Sequence, residues 1–146
     1  MPTDGDIQAG FYRTLVETGR PPGASELAEH LGLTTARVRE GFAELAERRL
    51  LLLEPDGVTV RMAPPFSGVP TQHRIRAGGV EYFANCAWDA LGIPAALHRP
   101  AEVVSRCEQL QEPLVLRIDD RGPGDSPWLF HCLVPAARWW QDLIHT

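Results

Sequence analysis

With 146 residues, 44% of them hydrophobic, the chain is long enough to bury one core of ordinary size or two small ones that share an interface, so it should fold as a globular protein. Its formal charge of −5 argues against a nucleic-acid or anionic-membrane partner, because both reward clustered positive charge. Three cysteines without CxxC spacing, a polar start and no apolar run near the ~20 residues a bilayer requires point to a reducing, cytoplasmic setting with at least one free thiol.

Ile7, Phe11, Leu15 and Val16 recur at helical spacing until Gly19-Arg20-Pro21-Pro22-Gly23 breaks the chain, which predicts a first helix and a loop. A short helix from Ser25, its expected cap, to Leu31 follows. The turn Gly32-Leu33-Thr34 then leads into a longer helix over residues 35–49, with Val38, Phe42, Leu45 and Ala46 facing inward. Residues 50–53 and 58–61 flank Glu54-Pro55-Asp56-Gly57, a hairpin whose Asp-Gly supplies the turn. Three helices and a hairpin predict a winged helix-turn-helix-like domain over residues 1–62. In such a fold Thr35, Arg37 and Arg39 would stand at the start of the third helix as DNA contacts. The segment carries seven Arg against ten acidic residues, so DNA is a disfavoured partner and a scaffold role is the plainer reading.

Residues 63–70, rich in Pro and Gly, read as a linker. Beyond them strands are expected at 73–77 and 80–83, joined at Gly78-Gly79, and then a short helix over 85–91 stopped by Gly92 and Pro94. Further strands are expected at 101–105, 114–118 and 128–134, with helical character in 136–144. The fold class expected is α+β, the winged-helix-like domain being followed by a small mixed α/β core over residues 71–146.

The stretch Asn85-Cys86-Ala87-Trp88-Asp89 carries the chemistry. If Asn85 caps the helix, Cys86 falls in the first turn, where unpaired N–H groups and the helix dipole stabilise a thiolate. Asp89 would project from the same face one turn later, placing a proton donor beside a soft-metal ligand. On spacing alone CxxD is a weak signal, since a helical cysteine more often packs than reacts. A Cys₃His zinc site from Cys86, Cys107, Cys132 and His131 lacks paired-ligand spacing. Trp88, Trp128, Trp139 and Trp140 are expected to be buried, either as core or as the lining of an apolar pocket. No glycine-rich phosphate loop is present, so a nucleotide cofactor is not indicated.

The run Val80-Glu-Tyr-Phe-Ala-Asn-Cys86-Ala-Trp-Asp89-Ala-Leu-Gly-Ile-Pro94, continued by Ala101-Glu-Val-Val-Ser-Arg-Cys107 and Glu112-Pro-Leu-Val-Leu116, resembles the alkylmercury (organomercurial) lyase family. The resemblance implies protonolysis of a carbon–mercury bond. The thiolate matching Cys86 binds the mercury, the carboxylic acid matching Asp89 delivers a proton to the departing carbon, and a second cysteine near the C-terminus completes the site. Cys107 matches a cysteine used structurally, and a buried role is expected for it. No cofactor is required; mercury enters with the substrate and stays as product ligand, to be taken up by external thiols. In short family members a segment resembling Arg138-Trp139-Trp140-Gln141-Asp142-Leu143-Ile144-His145-Thr146 leads directly into the second cysteine, whereas this sequence ends at Thr146. Cys132 is the candidate replacement, with Cys86, for holding the soft metal. The alternatives are a thiol- or metal-sensing winged-helix regulator that reads DNA through Thr35, Arg37 and Arg39, and a noncatalytic binding protein of the same fold.

Overall fold

A computed structural model describes residues 2–144; His145 and Thr146, the end of the expected core, lie outside the described residues. Helix α1, Asp4–Thr18, begins at Thr3, whose hydroxyl accepts the Asp6 N–H at 3.4 Å while the Thr3 N–H donates to Asp6 Oδ2 at 2.7 Å. This reciprocal capping satisfies two of the donors that every helix start leaves unpaired. Gly19 ends α1 at φ 80°, donating its N–H to Leu15. Helices α2, Ala24–Leu31, and α3, Thr35–Glu47, follow; Gly32 closes α2 in the left-handed region, and the Thr34 hydroxyl caps α3. The inward faces of the three helices meet at Ile7, Phe11, Leu15, Leu27, Val38, Phe42 and Leu45, all buried.

Two antiparallel sheets come next. The first runs β1, Leu52–Leu53; β2, Val60–Ala63; and β3, Phe66–Ser67, in that order. Asp56 accepts the Val58 and Thr59 N–H groups in the turn between β1 and β2, as the Asp-Gly signal suggests. Residues 63–70, expected to cross as a linker, contain the end of β2 and all of β3, because Met62 pairs with Ser67 and Ala63 with Phe66. The second sheet has the order β5-β4-β6-β7-β8, from β4, Arg74–Ala77; β5, Val80–Phe83; β6, Ala101–Arg106; β7, Pro113–Asp119; and β8, Gly122–Pro123. A bridge between Phe66 and Ala84 links the two sheets.

Helix α4, Ala87–Leu97, connects β5 to β6 and packs on β4 and β6. It is longer than expected, running through Gly92 and Pro94 to His98. Proline cannot donate an N–H, yet Ile93 and Pro94 are both buried, and their packing outweighs the missing bond. At Gly92 a side chain would begin 3.3 Å from Pro65, so α4 lies close against the β2–β3 turn.

The helices and the second sheet share one apolar cluster that runs from Ile7 and Phe11 through Phe66 to Ile75, Tyr82 and Ile93. Polar contacts tie the same elements: Tyr12 donates to the Pro64 carbonyl at 3.1 Å, and Tyr82 to the Val16 carbonyl at 2.5 Å. A Cβ on Gly19 would stand 2.3 Å from the Glu81 carbonyl oxygen, so only glycine lets the end of α1 approach β5 this closely.

The last stretch departs from expectation. Residues 128–134 form no strand, having no partner strand among the described residues, and the helical character beyond them is a 3-10 helix, Ala136–Gln141. The tryptophans are not buried as expected. Trp88 is 54% and Trp140 38% exposed, Trp128 and Trp139 are half-buried, and none of the four belongs to the apolar cluster of the core.

Candidate functional site

The site is built where β5 turns into α4. Ala84 is held there by its N–H donating to the His73 carbonyl and by the Thr71 hydroxyl donating to the Ala84 carbonyl at 2.6 Å. Asn85 and Cys86 follow, and Cys86 itself is the N-cap of α4, with extended backbone at φ −149° and ψ 177°. Asn85, expected as the cap, lies one residue outside the helix. Its amide Nδ2 donates both to the Phe66 carbonyl at 3.3 Å and to Asp89 Oδ2 at 3.1 Å. Asn85 Oδ1 is buried without a hydrogen-bond partner among the described residues.

Cys86 and Asp89 are brought together on the first turn of α4, and each is half-buried. Their electrostatics differ in part from the expectation of an activated thiolate. Burial pushes the Cys86 thiol above its ordinary range, and the Asp89 carboxylate adds to the rise; the Asp89 and Trp88 N–H groups oppose it without reversing it. The cap position explains this: a thiol is a weak acceptor, and no full capping hydrogen bond reaches the sulfur, so desolvation wins over the helix dipole. Burial also raises the Asp89 carboxyl above its usual range, against the hydrogen bonds from Asn85 and Cys86. Thiol and carboxyl therefore sit at the cap and first turn of one helix, each half-buried and each with its protonated form favoured by burial. That is an arrangement for passing a proton, with a sulfur left behind to take a soft metal.

The other sequence candidates are placed as follows. Cys107 is not buried: it lies just past β6 in a turn where its N–H donates to the Glu112 carbonyl and its sulfur accepts the Leu110 N–H at 3.5 Å. It supports that turn rather than a packed sheet. Cys132 is exposed, its thiol donating to the Val134 carbonyl at 2.8 Å. Two residues before it, Phe130 packs on Trp88 with ring centroids 5.6 Å apart, which anchors the Cys132 segment beside the start of α4. The Cys₃His grouping is not found, since no cluster of three or more potential metal ligands exists among the described residues. Thr35 is half-buried in the first turn of α3, Arg39 is exposed, and Arg37 is bound to Asp4 Oδ1 at 2.6 Å. No helix among the described residues is long and apolar enough to cross a membrane.

Sequence reasoning missed two features. One is the pair of hydrogen bonds donated by the Asn85 amide, legible only as an amide four residues before Asp89 at a strand–helix junction. The other is a buried pair across β6, His73 Nδ1 and Ser105 Oγ at 2.6 Å, in which burial lowers the His73 pKa so that the ring is held neutral.

Three comparisons bear on this geometry. The family model for alkylmercury lyase matches residues 66–145, more than half of the chain and all of the β5–α4 corner. An alkylmercury lyase of Streptomyces lividans is 31% identical over 110 residues, which span 72% of this chain and 46% of that protein, so the chain covers somewhat under half of its relative's length. The crystal structure of the mercury-bound form of MerB2 superposes with a TM-score of 0.58 at 22% identity, over 84% of this chain and 68% of that one, a likeness of fold.

Proposed function

The chain belongs to the alkylmercury lyase family, and from that premise we propose that it cleaves the carbon–mercury bond of organomercurials by protonolysis at Cys86 and Asp89. The observation that carries this reading is the placing of a half-buried thiol and a half-buried carboxyl at the cap and first turn of α4, burial favouring the protonated form of both. The step balances without any cofactor. Asp89, already carrying a proton, gives it to the carbon as the carbon–mercury bond breaks, and the proton that mercury displaces from the Cys86 sulfur replaces it on the carboxylate. The products are the hydrocarbon, a Cys86–mercury thiolate and a carboxyl group ready for another cycle. A raised thiol pKa suits this sequence, since the sulfur must bring the proton it gives up, and bond formation to a soft metal displaces it.

External thiols deliver the substrate and remove the mercuric product. Cys132 is the second thiol of the site in this reading, supported by the Phe130–Trp88 contact that keeps its segment near α4. Residues 1–62 act as a winged-helix-like scaffold. Their electrostatics support that role over DNA reading, because Arg37 is already engaged by Asp4. The test is hydrocarbon release from an arylmercury salt in thiol buffer, in a reducing medium like the cytoplasm. Wild-type protein should release it and Cys86→Ala should not; release no faster than that of Cys86→Ala would sink the assignment.

A further inference from the structure

We propose that Asn85 is a positioning residue that dictates which oxygen of Asp89 carries the proton delivered to carbon; the inference rests on the protonolysis reading above. The Asn85 amide has one possible orientation. Phe66, 3% exposed and pinned between its pairing to Ala63 and its bridge to Ala84, presents a main-chain carbonyl that only the Nδ2 side can face. Turning the amide over would set Oδ1 against that carbonyl, acceptor to acceptor, and lose the bond to Phe66. The structure instead leaves Oδ1 buried and unpartnered among the described residues. An unsatisfied buried acceptor is unfavourable, so its retention marks an amide held for its donor end.

The second N–H of that amide points at Asp89 Oδ2, 3.1 Å away. In a neutral carboxyl the carbonyl oxygen is the stronger acceptor and the hydroxyl oxygen the donor. With Oδ2 occupied as acceptor, the proton resides on Oδ1. The main chain of β3 thus sets, through Asn85, the oxygen from which Asp89 acts as an acid. Without Asn85 the proton is shared between the two oxygens and the carboxyl rotates more freely. Capture of the mercurial by Cys86 is untouched, because the amide does not contact the sulfur.

Asn85→Leu, of similar size, and Asn85→Ala, which has no bulk to displace the helix, provide the test. Single-turnover release of hydrocarbon from an arylmercury salt should slow by about tenfold or more in both, the loss expected when a reacting group loses its orientation. Stoichiometric uptake of the same mercurial should match wild type. The carboxyl C=O stretch of Asp89, isolated in acidified mercurial-free protein by subtracting Asp89→Asn, should move to higher frequency in both variants as its hydrogen bond is lost. An unmoved stretch, or uptake and release falling together, would overturn the positioning role. If wild-type protein captures mercurial yet releases no hydrocarbon, the protonolysis reading fails, and the stretch alone still decides whether Asn85 fixes the carboxyl.

Discussion

Asp6 and Asp89 occupy the same position in their helices, the third residue after the N-cap, yet their acidities are moved in opposite directions. In α1 the cap is Thr3, the carboxylate is exposed, and the Thr3 N–H and hydroxyl hold the Asp6 pKa down. In α4 the cap is Cys86, the carboxyl is half-buried, and desolvation raises its pKa despite the hydrogen bonds it receives. Thr-x-x-Asp and Cys-x-x-Asp set the same spacing at two helix starts, but only the first, in water, closes into a capping box. Placing a thiol at the cap gives up the stabilising hydroxyl bond, and burial favours the protonated carboxyl where exposure favours the carboxylate.

Substituting both aspartates is the sharpest way to break this contrast. Asp89→Asn should lower hydrocarbon release from an arylmercury salt by about 10²–10⁴-fold, the range for removal of a general acid, while uptake at Cys86 persists. Asp6→Asn should leave release unchanged. Equal effects of the two substitutions in the same assay would mean that the shared helix position, and not burial, sets the role.

The caps provide the next test. Thr3→Ala should cost about 1 kcal/mol of stability in denaturant melts, the usual effect of deleting a capping hydroxyl. Cys86→Ser should do the reverse, stabilising the fold by up to about 1 kcal/mol because serine is the better cap, while mercurial uptake is abolished. A destabilised Cys86→Ser would show that the thiol packs more than it caps.

The smallest effects are those of pH. The folded Asp89 pKa lies above the ordinary 3.8, so its neutral form is favoured and wild type should gain stability relative to Asp89→Asn as pH falls toward 3.8. The folded Asp6 pKa lies below 3.8, so its contribution is present above that value and is lost as pH falls through the folded pKa, narrowing the gap to Asp6→Asn. His73 adds an acid-sensitive term of its own. Its folded pKa is depressed below 6.5, so the unfolded chain takes the proton first and stability declines below that pH. Substituting His73→Gln should flatten that decline in thermal melts between pH 7 and pH 5.

Much of the architecture was legible because it rests on local signals. The Thr34 cap, the left-handed Gly32 and the Asp56 turn are each chemistry of a few neighbouring residues, and the helices and the first hairpin follow from them. Cys86 and Asp89 were legible as neighbours from their spacing, and the structure does place both at the start of α4. What the sequence hid depends on contacts far along the chain. Pro94 looked like a stop until the packing of Ile93 and Pro94 under α4 outweighed it, and residues 128–134 looked like a strand but have no partner strand among those described. The rise of the Cys86 pKa was misjudged for the same reason. The helix dipole is local, whereas the burial that overrides it is set only once the chain has folded.

The Tyr82 hydroxyl on the Val16 carbonyl and the contact of Gly19 with Glu81 clasp the end of α1 onto the strand that leads into the site. In the language of local unfolding, the corner bearing the thiol has no low-lying open state of its own. Loosening β5 means lifting α1 and exposing the fully buried Tyr82 ring, so amide protons around Ala84 should exchange at the pace of the whole molecule. Under the protonolysis proposal, a substrate bound at Cys86 would meet a carboxyl that stays in place for as long as the protein remains folded.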